Sequence, residues 1–270
     1  MYYQAVPYTD PLLHTFCAHW KIPLGGERRE TLARIACAFG AIPYENLTKI
    51  IGVAEAHSTI AKQTPEEVIN GFIRHGTGGT CFPLTLTLHR LVTALGWEAH
   101  PIVADRRYGA DTHCALIVRV EPTGWHLLDP GYLLTTPIII PHSGAARYEL
   151  PLATVELRCQ SNTDRVELHT RIPGTEAWKY RLTYKISPVD DETFHAAWDR
   201  SFGWEMMTYP IISSAIGDTQ VYVQKNTILV RSPTQATRIT LSDDALAHEV
   251  ATRLSLSAEI VRKALGYLRR

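Results

Sequence analysis

Cys81 stands in the segment Gly78-Gly79-Thr80-Cys81-Phe82-Pro83-Leu84, and His113 and Asp129 follow it in the chain. A thiol, an imidazole and a carboxylate are the groups a cysteine-dependent acyl transfer needs: a nucleophile, a base and a group that orients the base. A free thiol is mostly protonated near neutral pH, and attack needs the thiolate. The sequence offers two devices that favour it. Pro83 marks the first turn of a helix opening near Cys81, where the helix N-terminus favours a negative charge, and a His113 imidazolium would add a second positive partner. Gly78 and Gly79 permit positive φ and close backbone approach. Free amides next to Cys81 could form an oxyanion hole.

His113 precedes the apolar run Cys114-Ala115-Leu116-Ile117-Val118. Asp129 ends Leu127-Leu128 and leads into the turn signal Pro130-Gly131. Neighbouring antiparallel strands would bring the two side chains together. The residue types alone leave other readings open. Cys81 is also acceptable as a small core residue, the role we give Cys17, Cys37, Cys114 and Cys159. With 12 histidines in the chain, one lying between a cysteine and an aspartate is expected by chance, and Asp-Pro-Gly is a common turn. Zinc binding by Cys81, His113 and Cys114 is the rival use of these side chains. It lacks the close ligand pair, about two to four residues apart, of structural zinc sites, so no metal is expected.

The surrounding pattern changes twice along the chain. Residues 1–96 read as helical, with Leu32, Ile35, Ala36 and Phe39 on one face between Glu30 and Phe39. Thr64-Pro65-Glu66-Glu67 reads as an N-cap with a first-turn proline and acids. Leu84, Leu88, Leu91 and Leu95 repeat at helical period before the stop signal Gly96. Residues 97–187 read as strands, several alternating with period two, and the turn spacing predicts an antiparallel sheet or barrel. Residues 188–270 are mixed, with helices predicted over 192–200, 242–254 and 258–268 and a hairpin around Lys225-Asn226.

The chain has 270 residues, is 45% hydrophobic and carries 27 basic against 27 acidic side chains. That balance gives no electrostatic case for nucleic acid or an anionic membrane surface as partner. Five widely spaced cysteines without a CxxC fit a reducing cytosol. Met1-Tyr2-Tyr3-Gln4 lacks a signal-peptide pattern, and runs such as Ile138-Ile139-Ile140 are too short to span a bilayer. The expectation is a cytoplasmic protein.

At these residues the chain resembles the arylamine N-acetyltransferases. The family's Arg-Gly-Gly-aromatic-Cys segment stands as Thr77-Gly78-Gly79-Thr80-Cys81. Its later histidine is His113 in Asp111-Thr112-His113-Cys114, and its Asp-Val-Gly-Phe-Gly segment is Asp129-Pro130-Gly131-Tyr132. Its upstream Ile/Val-Pro-Phe-Glu-Asn-Leu segment is Ile42-Pro43-Tyr44-Glu45-Asn46-Leu47. The resemblance implies an α+β fold made of a helical bundle (1–96), an antiparallel β-barrel (97–187) and an α/β lid (188–270), around a Cys-His-Asp core like that of cysteine proteases. It also implies a ping-pong reaction with no permanently bound cofactor. Cys81 takes an acetyl or other acyl group from acetyl-CoA or another acyl-CoA as a thioester. It then passes the group to an amine, hydrazine or hydroxylamine, while His113 pairs with Cys81 and Asp129 orients His113. We place the acyl and acceptor contacts at Gly78, Gly79, Thr80 and Phe82, along Ala104 to Thr112 including Thr112 itself, and around Phe202 to Tyr209, whose apolar side chains equally suit a core. Arg106 and Arg107 are candidates for the CoA phosphates, with a solvated loop as the other reading.

The departures are as informative as the matches. Thr77 replaces the family's arginine, so Glu45 needs another partner, with Arg74 and Arg34 as candidates. Thr80 replaces a bulky aromatic, Pro83 and Thr85 replace a glutamate and an asparagine, and no histidine stands near Ala38. Retained thioester chemistry with a changed donor or acceptor is the expectation. The alternative is an amide synthase that takes an acyl chain from an acyl carrier protein, with small Thr80 widening the acyl site. Hydrolysis by a papain-like or transglutaminase-like enzyme is disfavoured by the Ile42–Leu47 segment. A non-catalytic homologue with a binding role is the remaining reading.

Overall fold

Helical periodicity comes first in space as in sequence. The computed structural model describes residues 9–269; the Met1–Gln4 segment discussed above lies outside them. Helices α1 (Pro11–Trp20), α2 (Arg28–Phe39), α3 (Leu47–Glu55), α4 (Pro65–His75) and α5 (Cys81–Ala94) are interrupted by a two-residue strand, β1 (Tyr44–Glu45). The N-terminus of α4 closes as a capping box: Glu67 N donates to Thr64 Oγ1 at 3.2 Å and Thr64 N to a Glu67 carboxylate oxygen at 2.7 Å. Leu84, Leu88 and Leu91 of α5 are buried with Leu13, Phe16 and Phe39, as the leucine repeat predicts.

Eight antiparallel strands follow: β2 (Ala99–Arg106), β3 (Gly109–Val120), β4 (Gly124–Asp129), β5 (Leu134–Ile139), β6 (Ala145–Leu150), β7 (Ala153–Cys159), β8 (Arg165–Arg171) and β9 (Lys179–Lys185). They pair in the order β5-β4-β3-β2-β9-β8-β7-β6. The Tyr148 hydroxyl on edge strand β6 donates to the Ile139 carbonyl at the end of edge strand β5, so the sheet is a nearly closed barrel. Within β3 the segment Cys114 to Val118 is an unbroken apolar run because both of its faces are covered. Cys114, Leu116 and Val118 join the core of the helices, whereas Ala115 and Ile117 pack inside the barrel with Leu127, Leu168, Leu182 and Tyr184. His113, two residues before Ala115, falls on the barrel-side alternation at the strand's entrance.

The last part contains α6 (Asp191–Arg200), β10 (Ile211–Ile216), β11 (Thr219–Gln224), β12 (Thr227–Arg231), β13 (Ala236–Thr240), α7 (Asp243–Leu254) and α8 (Ala258–Leu268). The hairpin β11–β12 turns at Lys225-Asn226, with Lys225 at φ 56°. The N-terminal stretch is not wholly helical, contrary to its sequence pattern. β1 pairs antiparallel with β10, Tyr44 against Ser213 and Glu45 against Ile212. Two residues are too few to carry a strand period, and their partner is about 170 positions away. Asn46 clamps the junction. Its Nδ2 donates to the Tyr209 carbonyl at 2.8 Å and also to the Met206 carbonyl, and its Oδ1 accepts from Ile211 N at 2.8 Å. Leu47 and Ile51 of α3 share a third core with Ile212, Val261 and Leu265, so the first and last parts of the chain are packed into each other. Among the described residues no helix is long and apolar enough to cross a membrane.

Candidate active site

The nucleophile candidate is set by two glycines that admit nothing larger. Cys81 is the first residue of α5. A Cβ on Gly78 would lie 1.9 Å from the Pro43 carbonyl oxygen, and one on Gly79 would lie 2.8 Å from Pro83 Cγ. The close approach lets β1 hydrogen-bond to this turn: Glu45 N donates to Gly79 O at 2.9 Å, and Gly78 N donates to Glu45 Oε1 at 3.1 Å. Glu45 is fully buried, and Thr48 supplies its other donors, N at 3.0 Å and Oγ1 at 2.7 Å. Neither arginine suggested by the sequence is among these partners; Arg34 pairs with Glu30 on an exposed helix face. Burial pushes the Glu45 carboxyl up, with the Thr48 and Gly78 bonds opposing. Hydroxyl and amide donors thus do locally what a distant arginine would do.

β3 and β4 supply the other two groups. His113 Nε2 lies 2.7 Å from Asp129 Oδ2, and both side chains are fully buried. Asp129 accepts two further bonds, from the Tyr184 hydroxyl to Oδ2 at 2.6 Å and from Tyr132 N to Oδ1 at 3.0 Å. With Nε2 engaged by Asp129, the other ring nitrogen, Nδ1, lies 3.1 Å from Arg106 Nη2. A Cβ built on Gly131 would lie 2.7 Å from His113 Cε1, 3.3 Å from Cys81 Cβ and 3.3 Å from Asp129 Oδ1. The three side chains therefore meet around this one glycine. Gly131→Ala is expected to displace the imidazole and lower kcat by roughly 10²-fold, since ångström-scale misplacement of a catalytic group costs about that much. Steady-state kinetics beside an unchanged circular dichroism spectrum checks it, and full activity would mean that His113 has room to spare.

The electrostatics favour an anion at Cys81. Burial alone would raise the thiol pKa, but hydrogen bonds from Cys114 and His113 and the charges of His113 and Arg106 hold it well below the ordinary value. Burial, followed by the adjacent Cys81, pushes the Cys114 thiol well up, so Cys114 stays a protonated donor. Burial would lower the pKa of His113, yet Asp129 and then Cys81 raise it, while Arg106 opposes them.

Arg106 is where the sequence reading was furthest from the geometry. Its Nη2 lies 3.1 Å from His113 Nδ1, and its Nη1 donates to the Tyr108 hydroxyl at 2.7 Å. Its Nε is buried without a partner. Arg107, by contrast, is exposed, with its guanidinium 5.4 Å from the Tyr180 ring centre. Thr112 Oγ1 donates to Gly109 O at 2.9 Å and accepts from Arg106 N at 3.2 Å, which closes the β2–β3 turn. Phe82 is fully buried among Phe194, Trp198 and Trp204, with ring centres 5.4, 6.1 and 6.3 Å away. Thr80 caps α5 by position but makes no capping bond, and its Oγ1 is buried and unpartnered beside Cys81. The sequence reading also passed over Lys49, which is buried, donates to Ser201 Oγ at 2.6 Å and sits 4.0 Å from the Phe202 ring centre. Burial brings its pKa down to about 8. Tyr184 carries no local signal beyond an inward position in the strand Trp178–Ile186, and Gly131 carries only the turn signal after Asp129.

The family model described as N-acetyltransferase matches residues 30–261. The chain belongs to the arylamine N-acetyltransferase family. This N-acetyltransferase family member shares its fold with the arylamine N-acetyltransferase of Mycobacterium abscessus, at a TM-score of 0.81 and 17% identity over 96% of this chain and 95% of that one. The Salmonella typhimurium enzyme gives a TM-score of 0.77 at 16% identity, over 95% and 98% of the two chains. The Mycobacterium marinum enzyme in complex with CoA gives 0.78 at 15% identity, over 95% and 98%. In sequence the chain is also similar to proansamycin X synthase of Amycolatopsis mediterranei, 30% identical over 122 residues. That match spans 42% of this chain and 45% of the synthase, less than half of either. The protein is an acyltransferase.

Proposed function

We propose that the protein transfers an acyl group from a CoA thioester to an amine, hydrazine or hydroxylamine through a thioester on Cys81. The observation that carries this reading is the bond from His113 Nε2 to Asp129, with both side chains gathered around Gly131 beside a thiol at a helix N-terminus. In the first half-reaction the Cys81 thiolate attacks the thioester carbonyl. The oxyanion faces the first-turn amides of α5, which have no intrahelical acceptor. The C–S bond to CoA breaks and the departing thiolate takes a proton from His113. In the second half-reaction the acceptor nitrogen attacks the Cys81 thioester, His113 Nδ1 removes the nitrogen's proton, and Cys81 leaves as the thiolate. Asp129 fixes the imidazole tautomer throughout and supports its positive charge.

The alternative donor is a carrier-protein thioester, as in an amide synthase. The sequence similarity to proansamycin X synthase favours it, and so does Thr80, whose small side chain and unpartnered hydroxyl stand where relatives carry an aromatic ring. The five free thiols suit a reducing compartment such as the cytoplasm. Incubation with acetyl-CoA and no acceptor is expected to add one acetyl mass at Cys81, located by peptide mass spectrometry. Labelling only from a carrier-bound acyl chain assigns the donor to the alternative. No adduct from any thioester leaves a binding role for the fold.

A further inference from the structure

Glu45 is fully buried, and among the described residues no ion pair includes it. Five contacts tie it to the turn before Cys81. Gly78 N donates to Glu45 Oε1 at 3.1 Å, and Thr48 N donates to Oε2 at 3.0 Å. Thr48 Oγ1 lies 2.7 Å from Glu45 Oε1 and 3.1 Å from Gln63 Oε1. Gln63 Nε2 donates to Gly78 O at 3.2 Å. If Glu45 is ionised, these contacts are one hydrogen short. A threonine hydroxyl carries one hydrogen, and both oxygens that face it here would be acceptors only. Turning the Gln63 amide end for end only moves the shortage, because Oε1 then faces the Gly78 carbonyl.

We propose that Glu45 is held as the neutral acid, and that its proton closes a ring of hydrogen bonds through Thr48 and Gln63 around Gly78, which makes Glu45 and Gln63 positioning residues for Cys81. The positioning rests on the acyl-transfer reading of Cys81; the proton does not. In the ring, Glu45 Oε1–H donates to Thr48 Oγ1, and the Thr48 hydroxyl donates to Gln63 Oε1. Gln63 Nε2 donates to Gly78 O, and Gly78 N, donating to Glu45, completes it. Every contact then has its hydrogen. Gly78 is gripped by both its N–H and its C=O, three residues before the nucleophile. A Cβ on Gly79 would lie 3.1 Å from Gln63 Oε1, so that glycine makes room for the amide. Gln63 is anchored on both sides: Lys62 pairs with Asp199 of α6 at 2.7 Å, and Thr64 caps α4.

The surroundings suit a neutral group. Burial pushes the Glu45 carboxyl up. Lys49 of α3 is turned to Ser201 Oγ at 2.6 Å. β10, the partner of β1, carries no charged side chain. The other side chain of β1 is Tyr44, which burial keeps protonated and whose hydroxyl lies 3.8 Å from Met206 Sδ. At the turn the titratable group is Cys81, and its thiolate would only disfavour a second anion. A carboxyl whose pKa is higher in the folded than in the unfolded chain adds stability below the ordinary glutamate range. That stability is lost as pH rises through the folded value, so the ring opens toward alkaline pH.

Difference infrared spectroscopy at about pH 6, above the ordinary glutamate range, tests the proton. The full chain should show the carbonyl band of a buried carboxylic acid, moved by isotope-labelled glutamate and missing in Glu45→Gln. Absence of the band from the unmodified chain would overturn the proposal. Gln63→Leu tests the ring. Without an acceptor at Gln63, the Thr48 hydroxyl turns back to Glu45 and favours its anion, so the band should fade at a lower pH. Acylation of Cys81 by p-nitrophenyl acetate should slow by about tenfold in the same variant, the scale of one lost hydrogen bond. Thr48→Ser keeps the hydroxyl and should keep the band. A Gln63 that only fills space would leave the band where it was. That result, or a shifted band with an unchanged acylation rate, would remove the positioning role. An unmodified chain that shows the band while Cys81 takes no acyl group would remove the acyl-transfer reading and leave the proton standing.

Discussion

Cys81→Ser is expected to lower kcat/KM for acyl transfer by about 10⁴-fold or more and to abolish the acyl adduct, with the melting temperature nearly unchanged. Oxygen for sulfur is a small change in volume at a buried helix start, so packing is kept. What is lost is the match between nucleophile and surroundings. The Cys114 thiol, the His113 imidazole and the Arg106 guanidinium converge on an anion that forms readily from a thiol and scarcely at all from a hydroxyl near neutral pH. Kinetics with intact-protein mass measurement checks it. Turnover within tenfold of wild type would move the nucleophile elsewhere.

Asp129→Asn carries the second large effect. The carboxylate holds three donors, His113 Nε2, the Tyr184 hydroxyl and Tyr132 N, in a fully buried position. An amide at the same place keeps the shape, but it removes the charge that supports the imidazolium and no longer requires the proton to sit on Nε2. A loss in kcat of roughly 10³–10⁴-fold is expected, the scale seen when a triad carboxylate is neutralised without changing its geometry. Tyr184→Phe is the discriminating control. It removes one hydrogen bond but leaves the carboxylate and its hold on His113, so stability should fall by about 1 kcal/mol while most activity stays. Equal losses in both variants would mean that Asp129 works by packing alone.

The sequence was a good guide wherever the controlling physics was local. The leucine repeat of α5, the Thr64–Glu67 capping box and the strand alternations rest on neighbours within a turn or a pleat, and the structure contains them. Glycines, an apolar run and a turn signal drew attention to Cys81, His113 and Asp129, but those signals left other readings open and the family resemblance singled the three out; the structure brings them together around Gly131. Glu45 was misjudged because a lost arginine suggested another distant cation, whereas the solution was Thr48, three residues on. Arg106 was placed outside, with its neighbour Arg107, because both read alike in a polar hairpin. Arg106 ends β2 and is turned to His113, whereas Arg107 opens the following turn and faces solvent. Tyr184 and the β1–β10 pairing depend on partners 55 to about 170 positions away, which no local period encodes.

The two-residue strand β1 gives the nucleophile a mechanical address. One of its residues, Tyr44, pairs with β10 and bridges Gly79, and Glu45 takes the Gly78 amide, so the C-terminal sheet and the turn before Cys81 share a single short splint. Whatever displaces that sheet, whether a bulky acyl chain or a docked carrier domain, pulls on the turn that sets the thiol. A signal of donor occupancy would then be written in the amide protons of Gly78, Gly79 and Glu45, as a change in their exchange with solvent.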